Sequence, residues 1–166
     1  MSFELQIRPT TYHLPPTTCR PCMESLPSEF WQAVDQFNQR QFYDCHDTLE
    51  ALWMEALEPD KRFYQGILQI AVGLYHLGNE NWRGAVILMG EGMNRLRDYQ
   101  PNYGNVEVEK LLTQTAQLLK ILQQTGPEQV ISVIQRLGSD QHESEQSGNE
   151  AIVFPVIEKN SLSGAI

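Results

Sequence analysis

Cysteine is scarce in this sequence: three residues in 166 (Cys19, Cys22 and Cys45), too few and of the wrong parity for a disulfide scaffold. That usage suits a reducing, cytoplasmic setting. Basic residues are scarce too, with Lys+Arg at 12 against 21 Asp+Glu and a formal net charge of -9. Without a basic face the chain cannot displace counterions from nucleic-acid phosphates, so no nucleic-acid partner is expected. The same balance disfavours docking on an anionic membrane. No apolar run approaches the roughly 18–20 residues that span a bilayer, so no membrane insertion is expected. Met1-Ser2-Phe3-Glu4-Leu5 lacks the basic start and long apolar stretch of a signal peptide. There is no glycine-rich phosphate loop and no G-x-S-x-G, which leaves nucleotide use and serine-hydrolase chemistry without support. Cys19-Arg20-Pro21-Cys22 has redox or half-zinc-site spacing, but no second C-x-x-C accompanies it and it lies among prolines. It reads as two thiols in a tail.

What is present is ordinary globular composition, 41% hydrophobic and 20% charged. Five of the nine prolines (Pro9, Pro15, Pro16, Pro21 and Pro27) fall in the first 27 residues, so 1–27 reads as an extended arm. Residues 28–137 are helical by pattern. Ser28 is placed to cap a first helix that turns Phe30, Trp31, Val34 and Phe37 inward. A second helix is expected over about 42–57, burying Cys45, Leu49, Leu52, Trp53 and Ala56. A third starts at Pro59 and stops near Gly78. It is apolar over much of its girth, as a central helix is, and Gly66 and Gly73 two turns apart suit close approach of a neighbour. A fourth is expected over about 81–99, a fifth capped by Asn105, and a sixth after Gly126-Pro127. Gly138 to Glu150 carries four acids and no base, so 138–166 reads as an acidic linker and a short apolar segment, Ala151 to Ile157. That segment reads first as an edge strand or tail lying on the body, and second as a docking peptide. The expected fold is all-α: a compact helical bundle of about five or six helices with extended N- and C-terminal arms.

The densest polar cluster lies on the second helix, at His46-Asp47-Thr48-Leu49-Glu50. His46 and Glu50 are one turn apart on one face, and Gln65, Gln69, Val72 and His76 share a face of the third helix. Antiparallel pairing of the two helices would bring His46, Glu50, Gln69 and His76 together. The leading expectation is a buried hydrogen-bond network in which His46 and Gln69 satisfy Glu50 and fix register. His46, Glu50 and His76 could instead hold a divalent metal, or Glu50 could act as a general base beside His46. The H-E-x-x-H protease pattern is absent because position 50 is Glu. His46-Asp47 also matches the paired metal ligands of some phosphohydrolases, but their further ligands are not evident. Asn79 or Asn81 reads as the cap of the fourth helix, and its N-terminus with Arg83 offers a small anion site.

Three ordered segments then resemble a known family. Phe37-Asn38 to Phe42-Tyr43, followed by His46-Asp47-Thr48-Leu49-Glu50-Ala51-Leu52-Trp53, resembles an opening of the type F-N-x-G-x-Y-F-E-x-H-E-x-x-E-x-x-W. Arg62 to Ala71 is similar to F-x-Q-G-L-I-Q-x-A, and His76 to Ala85 to a stretch ending G-N-x-x-G-A. This is the family catalogued as "domain of unknown function 309", small all-helical proteins, and the resemblance covers about residues 30–112. Its matches fall on His46, Glu50, Trp53, Gln65, Gly66, Gln69, Asn81, Gly84 and Ala85. Asp47 stands where the family usually has Glu, and Arg40 where glycine is common. The resemblance implies a helical bundle with a polar site and leaves its function open. The extended arms and acidic linker point to a non-catalytic binding or interaction module for a protein partner or small ligand, with no cofactor required and homo-oligomerisation left open. The alternative is a metal-dependent or acid–base enzyme centred on His46 and Glu50.

Overall fold

A computed structural model describes residues 25–139 and 152–160. Six α-helices carry the described chain: α1 (Ser28–Asn38), α2 (Phe42–Glu55), α3 (Asp60–Gly78), α4 (Trp82–Leu96), α5 (Val108–Thr125) and α6 (Val130–Ser139). The proline-rich residues 1–24, with Cys19 and Cys22, lie outside the described residues, as do 140–151 of the acidic linker.

α3 is the central helix, as its apolar girth predicts, although Leu68 is only partly buried and Tyr75 is exposed. Phe63, Tyr64, Ile67, Ile70, Ala71, Leu74 and Leu77 are all buried, and α3 packs against α2 on one side and α4 on the other. The α3–α4 contact is the most extensive in the fold. It is close because both helices present glycine: a Cβ on Gly92 would lie 2.6 Å from the Gly66 carbonyl oxygen, and one on Gly73 would lie 3.0 Å from the Met89 nitrogen. α1 closes the core at the N-terminal end of α3, where Phe30 packs on Phe63 and Tyr64 with ring centroids 5.8 and 5.6 Å apart.

Several local expectations are corrected. Ser28 does not cap α1; Pro27 holds the cap position in extended conformation (φ -61°, ψ 160°) and its carbonyl accepts the Phe30 N–H at 3.0 Å. The Ser28 hydroxyl bonds the neighbouring Glu29 carboxylate instead. α2 ends at Glu55, where Ala56 turns extended, so Leu52, Trp53 and Ala56 are only partly buried. α4 tightens to a 3-10 turn over Arg97–Tyr99.

Asn105 does not cap α5. With Gly104 it forms the tip of a hairpin between β1 (Asn102–Tyr103) and β2 (Val106–Glu107), in which Tyr103 faces Val106. Both tip residues have positive φ (53° and 66°), the requirement of a two-residue type I′ turn whose twist matches the strands. The second edge of β2 is also covered. Val106 pairs with Lys159, Glu107 donates to the Glu158 carbonyl at 2.9 Å, and Asn160 donates to Asn105 at 2.8 Å. Residues 152–160 therefore lie on the body, with Ile152 and Ile157 in the core, in keeping with a tail docked in cis.

Candidate functional site

α2 is a helix with a narrow dry stripe. Only Phe42, Cys45 and Leu49 are fully buried, so the residues between them face outward. His46 is partly exposed, and Asp47 and Glu50 are exposed. One ligand-type atom from each of the three lies within 4.8 Å of the others, with Glu50 one turn from both His46 and Asp47. The His46 ring nitrogen Nδ1 lies 3.0 Å from an Asp47 carboxylate oxygen. An ionised carboxylate accepts only, so Nδ1 carries the proton and donates, and in the neutral ring Nε2 is then the nitrogen with a lone pair. Asp47 thus has a defined job: it orients His46.

The helix pairing does not bring Gln69 to this cluster. Its amide nitrogen donates to a Glu91 oxygen on α4 at 2.7 Å, and its own carbonyl oxygen is buried without a partner. The physical reason is the glycine-mediated approach of α3 and α4, which puts α4 rather than α2 within reach of Gln69. Glu50 stays on the wet surface, so the expected buried His46–Glu50–Gln69 network does not form.

His76 is held elsewhere as well. Asn81 caps α4, its Oδ1 accepting the Gly84 N–H at 3.0 Å, and so its amide nitrogen donates to His76 Nδ1 at 3.1 Å. A Cβ on Gly84 would lie 2.9 Å from the His76 ring and 2.7 Å from the Asn81 amide, which explains glycine at that position. Arg83 is exposed on the same turn. Trp53 is partly buried under the Lys61 ammonium, 5.3 Å from the ring centroid, and Gln65 is half-buried on α3.

Two residues outside the expected set join the His46 surface. Tyr43 lies one turn before His46 with ring centroids 6.5 Å apart, and Tyr75 of α3 meets Tyr43 at 6.0 Å and His76 at 6.2 Å. The tyrosines are 60% and 42% exposed, so this is an aromatic run laid open to solvent rather than core. The i, i+3 spacing of Tyr43 and His46 carried that signal in the sequence; Tyr75 needed the helix pairing.

The segment holding this arrangement, from α1 through the first turns of α4, is also the one shared with other proteins. Residues 30–88 match the family described as a domain of unknown function (DUF309). The DUF309 match stops within α4, short of the residue 112 suggested by the sequence motifs. Within it fall His46, Asp47, Glu50, Gln69, His76 and Asn81 together with both tyrosines. An uncharacterized protein of Bacillus subtilis (strain 168), YpuF, is 38% identical over 69 residues, an alignment covering 41% of this chain and 38% of that protein. No solved structure matches the chain.

A second polar group sits at the N-terminal end of α3. Tyr103 donates to Asp60, Tyr99 donates to the Pro59 carbonyl at 2.7 Å, and both rings pack on Phe63. Burial and the Asp60 carboxylate hold the Tyr103 phenol well above its ordinary range, and burial does the same for Tyr99. Burial, with Asp60, pushes Tyr64 up to about 12. These groups tie the hairpin to α3 and keep their protons at neutral pH, so they offer no base.

Proposed function

We propose that this chain is a non-catalytic recognition domain, and that its recognition face is the outer surface of α2 with the end of α3. The supporting observation is the open His46–Tyr43–Tyr75 run beside the Asp47 and Glu50 carboxylates. Rings and carboxylates on one exposed surface suit a cationic side chain, which gains from both the ring quadrupole and the ion pair. The partner class is therefore a protein segment carrying Lys or Arg. A cytoplasmic setting accords with Cys45, a buried free thiol.

A photo-crosslinking residue in place of Tyr43 tests this in cells. The expected result is a discrete heavier adduct that disappears with Asp47→Lys or Tyr75→Ala. The same probe at Ile131, exposed on α6, should give none. No adduct at position 43, or one indifferent to both substitutions, refutes the reading.

A second reading rests on the ligand-atom cluster. His46 Nε2 and a Glu50 oxygen can hold a divalent cation, with Asp47 either completing the set or orienting the ring. No helix among the described residues is long and apolar enough to cross a membrane. Calorimetry with Zn²⁺ should show one site that His46→Ala removes. A flat titration, or one unchanged in His46→Ala, ends the metal reading and leaves the recognition face standing.

A further inference from the structure

The wet side of α2 carries a straight stripe. Tyr43, Asp47, Glu50 and Met54 follow one another at spacings of four, three and four, which keeps them in line along a helix and lets a second helix follow them. All are open to solvent, with Tyr43 60%, the Asp47 side chain 58% and Met54 68% exposed. Just past the helix end, Leu57 is 84% exposed. At about 1.5 Å of rise per residue the stripe runs roughly 16 Å from Tyr43 to Met54. Its ends are apolar and its middle is two carboxylates. The charge on this helix has no counterpart nearby in sequence: residues 41–60 hold six acids (Asp44, Asp47, Glu50, Glu55, Glu58 and Asp60) and no Lys or Arg. Asp44, Asp47 and Glu50 succeed one another at i, i+3, where like charges face each other across one turn. Glu55 stands in a last turn without a basic residue, where the helix dipole already disfavours a carboxylate. Among the described residues none of the four α2 acids is paired with Lys or Arg, and Asp47 meets the His46 ring. Large apolar side chains left open on one line, with uncompensated charge between them, mark an interaction surface.

We infer that this stripe pairs with a basic amphipathic helix of another protein, whose own stripe reads apolar, Lys or Arg, Lys or Arg, apolar at the same four-three-four spacing. The pairing presupposes the recognition face proposed above and adds the partner's secondary structure and register. An extended peptide fits less well, because the backbone N–H and C=O groups inside α2 are spent on its own turns and offer no edge to pair with. A helix instead brings side chains at matching intervals. Its cations meet Asp47 and Glu50, relieving the repulsion along α2, while its apolar residues cover Tyr43 and Met54. The pattern is a palindrome, so it is read in either direction. A second copy of this chain does not supply it, since no helix among the described residues has two Lys or Arg three positions apart.

The probe is a labelled alanine- and glutamine-based peptide of about 18 residues, long enough to form a helix, with Leu, Lys, Lys and Leu at that spacing. Titration with the full chain, read by fluorescence anisotropy, should saturate at roughly 100 μM protein, since exposed ion pairs are individually weak. Moving both lysines to the far side of the peptide helix, or breaking it with a central proline, should each weaken binding about tenfold. Asp47→Lys/Glu50→Lys should weaken the lysine peptide about tenfold and bind the peptide with Glu in place of both lysines. No saturable binding, or equal binding of the parent peptide and either control, overturns the helix pairing; so does a double variant that keeps its preference for lysine. Should that variant lose the helical circular dichroism of the parent, Met54→Asp takes its place and should weaken the lysine peptide about tenfold; undiminished binding overturns the proposal. A crosslink at position 43 in cells together with a failed peptide titration removes the helix and leaves the recognition face standing. Failure of both removes both.

Discussion

Two glycines on one helix should respond to alanine with opposite sign. Gly90 and Gly92 both lie within α4, two positions apart, and in each case alanine improves intrinsic helix propensity by about 1 kcal/mol. Around Gly90 a Cβ meets nothing within 4 Å, so the propensity gain is kept. At Gly92 the same atom lies 2.6 Å from the Gly66 carbonyl oxygen, 2.8 Å from Ile70 Cγ1 and 3.0 Å from the Ile70 nitrogen. Two of those three are backbone and cannot swing aside, so α3 and α4 must part along their most extensive contact. Overpacking of this kind costs about 1–3 kcal/mol, and separating the helices adds lost dispersion along the seam. The expected order is Gly90→Ala above the parent and Gly92→Ala below it, a spread of about 2–3 kcal/mol. For a domain of this size that is roughly 10 °C in melting temperature. Urea unfolding followed by circular dichroism at constant m-value measures it. If Gly92→Ala is as stable as Gly90→Ala, the close α3–α4 seam is wrong.

Glu50→Ala should change stability by less than about 0.5 kcal/mol in the same assay, because the carboxylate is exposed rather than the centre of a buried network. Cys45 should be inert to a thiol reagent at pH 8 in a Cys19→Ser/Cys22→Ser background, since burial pushes its thiol up to about 12; prompt stoichiometric labelling of folded protein contradicts that. Trp82→Phe removes an indole N–H donated to the Leu122 carbonyl at 2.7 Å, and should destabilise by about 1 kcal/mol. Tyr103 and Tyr99 have folded pKa values raised above their ordinary value of about 10, so they bind their protons more tightly when folded. Their contribution is complete below that pH and is lost as pH rises above it. Tyr103→Phe should therefore flatten the alkaline loss of stability; an unchanged pH profile refutes the Asp60 contact.

The helices were legible because each repeats apolar residues at the helical period, and α3 was legible as the central one because apolar residues cover much of its girth. Gly66 and Gly73 announced a close neighbour for the same reason. The hairpin was missed: its strands hold two residues each, too short for a period, and only Gly104-Asn105 marked the turn. The polar motif was legible as a motif and misread as a network. Position on α2 showed that His46 and Glu50 share a face, but not whether that face met α3 or water.

Length, charge and periodicity by themselves determined an acidic, helical chain with one dense polar motif, since those depend on residue type and spacing along a single strand. Tertiary structure alone decided where the motif's partners went. Gln69 turns to Glu91 because glycines draw α4 close, His76 turns to Asn81 because that residue caps α4, and His46 is left in the open with Asp47 and with Tyr43, whose ring also meets Tyr75. It also decided the place of 152–160, whose binding depends on Asn38 and Gln114 lying more than forty residues away in sequence. Side-chain reach is a few ångströms, so which helix stands nearest outweighs which residues look complementary.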